Sequence, residues 1–296
     1  MDFYKLPIII KRIKNDRRMV YMQSRTDLAI ENTETEGCLK GIEKEEIQEG
    51  DLKITRISVT DKETADIIGK PVGKYITIEC LPITDNVGDL KKETEIIGKE
   101  IKNFVPYEGE ILVAGLGNKE ITPDALGVRS MEYILATRHI KGEFSRIAGL
   151  DRLRGVSVIT TGVMGQTGIE TGEIIGSIVK EIKPDVLIAV DALAAKEISR
   201  LGCTVQISNT GINPGSGVGN RRKGINQKNI GIPVIAVGIP TVVDLMTLIY
   251  DKSESMIVTP REIDLLIERG ARLIGMAINC ALQGEYDYDT LWELVS

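Results

Sequence analysis

Two stretches far apart in the chain repeat one design. Residues 111–127 read ILVAGLGNKEITPDALG, and residues 186–195 read VLIAVDALAA. Each opens with a short apolar run rich in β-branched residues, which reads as a buried parallel strand. Each then delivers an aspartate, Asp124 or Asp191, just past the strand's C-terminal end. In open α/β sheets that edge is where ligands and chemistry gather.

The two aspartates are expected to feel different surroundings. Thr122-Pro123-Asp124 reads as a helix start, with Thr as N-cap, Pro at the first helical position and Asp in the first turn. A carboxylate there meets free backbone N–H groups and the positive end of the helix dipole, which favours the anion. Asp191 follows apolar residues and precedes Ala-Leu-Ala-Ala, and partial desolvation there favours the protonated form. One carboxyl pushed down and one pushed up can act as base and acid. An ordinary helix-start Asp and a strand-end Asp capping the next helix fit the same pattern.

Composition narrows the classes. The 296 residues suit one large α/β domain or two small ones. With 42% apolar and 27% charged residues the chain is globular, and its net charge of −6 argues against a general nucleic-acid binder. No apolar run approaches the length needed to span a bilayer. Near the N-terminus, Pro7-Ile8-Ile9-Ile10 is too short for a signal core, and its basic residues follow it. A soluble, cytoplasmic protein is expected. Cys38, Cys80, Cys203 and Cys280 show no C-x-x-C pairing, as expected of reduced, buried thiols. The single histidine, His139, leaves little for a zinc site or a Ser-His or Cys-His pair. It follows Thr137-Arg138 near the end of a helical pattern and reads as a C-terminal helix residue. No metal or cofactor is expected.

In chain order, residues 1–23 form a basic, irregular arm with Lys11-Arg12, Lys14 and Arg17-Arg18, and residues 24–296 read as a single α/β domain. After an alternating stretch at 24–31 and an acidic loop, Leu52 to Thr60 and Tyr75 to Leu81 alternate as strands and form a small β-rich N-terminal portion. Gly69 to Gly73 is the turn between them. Asp89 to Phe104 is an amphipathic helix with Ile96, Ile97 and Ile101 on one face. A helix is predicted over about Ala125 to Arg138, then strands at 156–161, 204–208 and 233–237, the last followed by a helix capped by Thr241. Thr259-Pro260-Arg261-Glu262 reads as a capping box opening a long helix to about Ala281. The tail, with Tyr286, Tyr288 and Trp292, is expected to pack on the body or on a neighbouring subunit. Strands alternating with helices imply a mostly parallel, helix-covered sheet. Glycine-rich loops after successive strands then gather at one edge with both aspartates.

Two glycine loops invite a nucleotide reading and fail in detail. Gly115-Leu116-Gly117 needs glycine at 120, which is Glu120, and Gly215-Ser216-Gly217 needs it at 220, which is Asn220. No glycine-lysine pair is followed by Ser or Thr, so there is no Walker A loop. The glycines serve tight turns or close approach of amides to a substrate. The amides of Gly117 and Asn118 are candidates to donate to a developing oxyanion. Arg221-Arg222-Lys223 is either a solvated loop or a landing site for an acidic partner.

Six blocks together carry a resemblance: SRTDLAIE (24–31), VAGLGNKEITPDALG (113–127), GVMGQTGIET (162–171), VLIAVDALAA (186–195), QISNTGINPGSGVGN (206–220) and GIPVIAVGIPTVVD (231–244). In this order they resemble the germination protease of spore-forming Firmicutes. The resemblance implies an endopeptidase that cleaves small acid-soluble spore proteins during germination and is made as a zymogen losing an N-terminal propeptide. It also implies a homotetramer in the spore and an α/β fold similar to hydrogenase maturation peptidases, while composition leaves no membrane or nucleic-acid partner expected. The family's proposed catalytic pair falls on Asp124 and Asp191, and its processing site on Met22, Gln23 and Ser24. Many family members carry Asp and His where Asn209 and Asn213 stand, which takes weight from any histidine mechanism. Two other classes remain: a phosphate- or nucleoside-processing hydrolase on a similar sheet, and a non-catalytic protein-binding relative.

Overall fold

The computed structural model describes residues 26–36, 39–85, 90–140, 150, 152–215, 223–244 and 257–295. The expected arm, the processing region Met22, Gln23 and Ser24, the pair Arg221-Arg222 and Cys38 lie outside the described residues. The elements run in the order α1 (Ala29–Glu36), β1 (Ile42–Glu49), β2 (Leu52–Val59), α2 (Lys62–Ile68), β3 (Gly73–Glu79), α3 (Lys91–Lys102), β4 (Ile111–Gly115) and α4 (Leu126–Ser130). They continue with β5 (Val156–Thr160), α5 (Met164–Thr167), α6 (Thr171–Ile182), β6 (Val186–Ala195), β7 (Thr204–Ser208) and α7 (Gln227–Ile230). The chain closes with β8 (Val234–Asp244), β9 (Ile257–Val258), α8 (Ile263–Leu282) and α9 (Tyr288–Val295).

Among the described residues all strands join one sheet in the order β1-β2-β3-β7-β8-β6-β4-β5, with β9 on the far end of β8. The half β8-β6-β4-β5 is parallel. The N-terminal strands continue the same sheet, with every pair from β1 through β3 and β7 to β8 antiparallel. β7 runs against β8, and the short link from β6, residues 196–203 with a 3-10 turn at Ile198–Arg200, holds no crossover helix that would return it parallel.

The parallel strands are apolar on both faces because helices cover both. Along β4 and β6, Ile111, Val113, Val186, Ile188 and Val190 face one core, built with Ile97 and Ile101 of α3 and Leu266, Ile274 and Ile278 of α8. The alternate residues Leu112, Ala114, Leu187 and Ala189 pack instead on Ile175 and Val179 of α6. The face of α3 formed by Ile96, Ile97 and Ile101 is buried, as its periodicity implies. The tail packs on the body: Tyr288 and Leu291 join Met276, and the Tyr133 and Trp292 rings stack 6.4 Å apart.

Several local expectations are corrected. Residues 42–49 pair as edge strand β1, not a loop; its alternation is hidden by exposed Lys and Glu, the side chains that protect an open edge. Residues 29–36 are helical, and α2 fills the connection before the turn at Gly69. The helix expected over 125–138 is only α4 followed by a 3-10 turn at Met131–Tyr133. β8 runs on to Asp244, so Thr241 lies within a strand and caps no helix. The capping box does not form either: α8 starts at Ile263 after Glu262, and the Thr259 hydroxyl donates to the Pro260 carbonyl.

Candidate active site

Where β4 ends, Gly117 adopts φ +102°, and a Cβ there would lie 2.0 Å from the Asp124 carbonyl oxygen. Only glycine lets the chain fold back this closely. The next residue, Asn118, donates its N–H to Asp124 Oδ2 at 2.9 Å. Asp124 is therefore held by a backbone amide, as expected, but in a 3-10 turn, Thr122–Asp124, rather than in the first turn of a long helix. Ile121, not Thr122, occupies the N-cap position, and no side chain caps it.

Two further contacts pin this turn to the sheet. The buried Thr241 hydroxyl of β8 donates to the Pro123 carbonyl at 2.8 Å. Gly127 sits against β6 so closely that a Cβ would lie 2.2 Å from the Val190 carbonyl oxygen. The turn carrying Asp124 is thus pressed against the residue preceding Asp191.

Asp191 does not end its strand; β6 continues to Ala195, with Asp191 paired in register with Gly238. The residue is 4% exposed. Its Oδ1 accepts the N–H of Ala192 at 3.0 Å. That turn of the side chain toward the strand edge is possible because the pairing with β4 stops at Gly115 and Val190.

Asp124 and Asp191 line one cavity of about 500 Å³. The glycine-rich loops meet there, as the alternation of strands and helices implies: Gly117 and Asn118 after β4, Val163 and Thr171 after β5, and Pro214 and Gly215 after β7. The Asn118 side chain ties two of these loops together, its Oδ1 accepting from Gln166 Nε2 at 2.8 Å and from the Glu120 N–H at 3.0 Å. The expectation that the Asn118 amide serves an oxyanion is corrected in one respect. That N–H is directed to Asp124, both to its carboxylate and to its carbonyl at 3.1 Å.

Asp27 also lines this cavity and escaped the sequence reading as a site residue. It is anchored on β6, its N–H donating to the Ala194 carbonyl at 2.9 Å and its Oδ2 accepting the Ala194 N–H at 2.9 Å. Gln206 grips the same segment, accepting from the Ala29 N–H at 2.7 Å and donating to the Asp27 carbonyl at 2.8 Å. Lys70 Nζ donates to the Thr26 and Asp27 carbonyls. Burial pushes its ammonium below the usual lysine range, while Asp27 and Glu31 pull it back up. The buried Glu31 carboxylate accepts the N–H groups of Lys196 and Glu197. The only advance signal for this anchor was the position of Asp27 and Glu31 in the block 24–31.

Other candidates lie elsewhere. His139 is exposed and Asn209 binds the Lys74 N–H; neither lines this cavity, and Asn213 lines a neighbouring one. Lys223 is not part of the lining either. Among the described residues no three His, Cys, Asp or Glu side chains gather as a metal site, and no helix is long and apolar enough to cross a membrane.

The comparisons with known proteins agree with one another. The germination protease family model matches residues 16–254. The germination protease of Caldanaerobacter subterraneus subsp. tengcongensis is 39% identical over 90% of this chain and 96% of its own length. That of Clostridium perfringens is 38% identical over 88% of this chain and 95% of its own, and that of Priestia megaterium 44% over 77% and 65%. A [NiFe] hydrogenase maturation protease, HycI from Thermococcus kodakarensis, aligns over 61% of this chain and 99% of its own with 19% identity and a TM-score of 0.35, too loose a likeness to carry an argument. With most of its length matched by the family model and by relatives of this identity, the chain belongs to the germination protease family of peptidases.

Proposed function

We propose that the protein is an endopeptidase of atypical aspartic type that degrades small acid-soluble spore proteins during germination. The observation that carries this reading is the convergence of Asp124 and Asp191, from strands far apart in the chain, on one cavity. Asp124 is the base: each carboxylate accepts one backbone N–H, but Asp124 is only half-buried, and contact with solvent favours its anion. Asp191 is the acid: it is 4% exposed, and burial favours the neutral carboxyl. Asp124 takes a proton from a water that attacks the scissile carbonyl. As the tetrahedral intermediate collapses, Asp191 gives its proton to the leaving nitrogen, and the C–N bond breaks. Two interacting carboxyls titrate jointly, so the roles belong to the pair before they belong to either residue.

The same reading makes the protein a self-processing zymogen and a homotetramer of the spore interior. On this reading, the basic residues of 1–23 keep the enzyme inactive by charge attraction to the acidic cleft until cleavage near Met22, Gln23 and Ser24 removes them. The test is incubation with a purified small acid-soluble spore protein. Asp124→Asn and Asp191→Asn are each expected to lower cleavage and self-processing by a factor of about 10² to 10⁴ while retaining the wild-type melting temperature. Full activity in either variant refutes the assignment. A protein starting at Ser24 is expected to cleave without a lag; a folded but inert product counts against inhibition by the arm.

A further inference from the structure

Successive residues of a strand direct their main-chain groups to opposite neighbours, and β6 shows which way each one points. Leu187 donates its N–H to the Pro233 carbonyl on the β8 side, at 3.0 Å. Val190 accepts from Leu116 on the β4 side, at 2.9 Å. Val190, Ala192 and Ala194 therefore all face the side of β4. But β4 pairs only as far as Gly115 with Val190, whereas β6 runs on to Ala195. Beyond Val190 the edge has no neighbouring strand among the described residues.

Asp27 takes the far part of this edge. Its N–H and its Oδ2 occupy the carbonyl and the N–H of Ala194, as a paired strand residue would. Between Leu116 and Asp27 lies Ala192, the one residue of β6 that is not buried. Its N–H is directed to Asp191 Oδ1. Its carbonyl, by the same alternation, faces the cavity that Asp124, Asp191 and Asp27 line.

We propose that the substrate's main chain lies along this edge as an added stretch of strand, donating one amide N–H to the Ala192 carbonyl. The inference rests on the peptidase reading above and deepens it. Strand addition lets main-chain hydrogen bonds hold a chain in extended form whatever its side chains. The Asp191 carboxyl sits on the N–H of the same residue that offers the carbonyl, so a chain paired there passes beside that acid. Asp27 acts as a stop, because it fills the next pairing position on β6. The edge thus offers a single main-chain bond between two fixed ends, which sets the register of the scissile bond. Ile121 and Ile257, 53% and 45% exposed on the cavity lining, offer apolar contact to the flanking side chains.

The test uses a synthetic peptide spanning a cleavage site of a small acid-soluble spore protein, with each backbone amide near that site replaced in turn by an ester. Binding is measured to the Asp124→Asn protein starting at Ser24, which lacks the inhibitory arm and whose folding is checked by its melting curve, and cleavage is measured with wild type. One ester position beside the scissile bond is expected to weaken binding about five- to tenfold, the worth of one hydrogen bond, while the others stay within about twofold. In wild type the same position raises KM and leaves kcat nearly unchanged. A flat profile with a peptide that is cleaved overturns the edge pairing alone. A peptide that binds with the expected profile but is not cleaved leaves the edge pairing standing and overturns the peptidase reading. A peptide neither bound nor cleaved overturns both.

Discussion

Asn118 donates its main-chain N–H to the carboxylate of Asp124 at 2.9 Å and to the carbonyl of the same residue at 3.1 Å. One amide therefore sets both the position of the Asp124 backbone and the orientation of its side chain. The arrangement requires the preceding residue to have no Cβ, since one at Gly117 would lie 2.0 Å from the Asp124 carbonyl oxygen.

Gly117→Ala is accordingly expected to cost at least about 2 kcal/mol, from the left-handed φ and the overlap together. It should also displace Asp124 and lower kcat at least about tenfold. Thermal melting and cleavage kinetics check the two effects separately. A fully active, wild-type-stable variant would show that the turn can relax without moving the carboxylate.

Thr241 is a positioning residue for Asp124, acting through Pro123. Removing its buried hydroxyl in Thr241→Val leaves the half-buried Pro123 carbonyl without that donor. The expected cost is about 1–2 kcal/mol in stability. A several-fold fall in kcat with little change in KM is expected, and Thr241→Ser should restore most of it. Equal loss in the Val and Ser variants would indicate a packing role.

Arg56 and Glu100 join β2 to α3 by two bonds, at 3.1 Å and 2.6 Å, with Glu100 1% exposed. Glu100, together with Glu45, raises the Arg56 guanidinium further above its ordinary range. Arg56→Ala strands a buried carboxylate and is expected to destabilise by about 2 kcal/mol, a figure discounted because Arg56 is partly solvated. The double variant Arg56→Met, Glu100→Leu should lose less than the single one. Urea unfolding of the three proteins decides it.

The Cys80 thiol is pushed up to about 12, chiefly by burial and secondarily by Cys203 and Glu93. Cys280 is pushed up to about 11 by burial first and Glu95 next. Alkylation requires the thiolate, so at pH 8 both should react at least about 10² times more slowly than in the unfolded chain. The sign follows directly: each rate should rise about tenfold per pH unit until the pH passes the thiol's own value. Mass mapping of labelled peptides with time follows each cysteine individually.

Much of the parallel sheet was legible in the sequence because its strands leave an unmistakable mark. Runs such as 111–115 and 186–190 are apolar on both faces, and only a strand covered by helices on both sides needs that. Edge strand β1 left no such mark, since its exposed charges answer to solvent rather than to a core. Thr241 misled because threonine is favoured both at helix starts and in strands. Its partner, the Pro123 carbonyl, lies 118 residues away in sequence.

The sequence by itself determined the chemistry on offer: two aspartates following buried apolar runs, glycine loops after neighbouring strands, and one histidine in 296 residues. Periodicity and composition are local properties, and they can say which groups reach a sheet edge. Only the tertiary structure decided that β6 outruns β4, that Asp191 turns its carboxyl into the step between them, and that Asp27 closes the far end. Those relationships depend on where one strand stops against another. That is settled by packing and main-chain pairing across the whole sheet, which no stretch of residues carries alone.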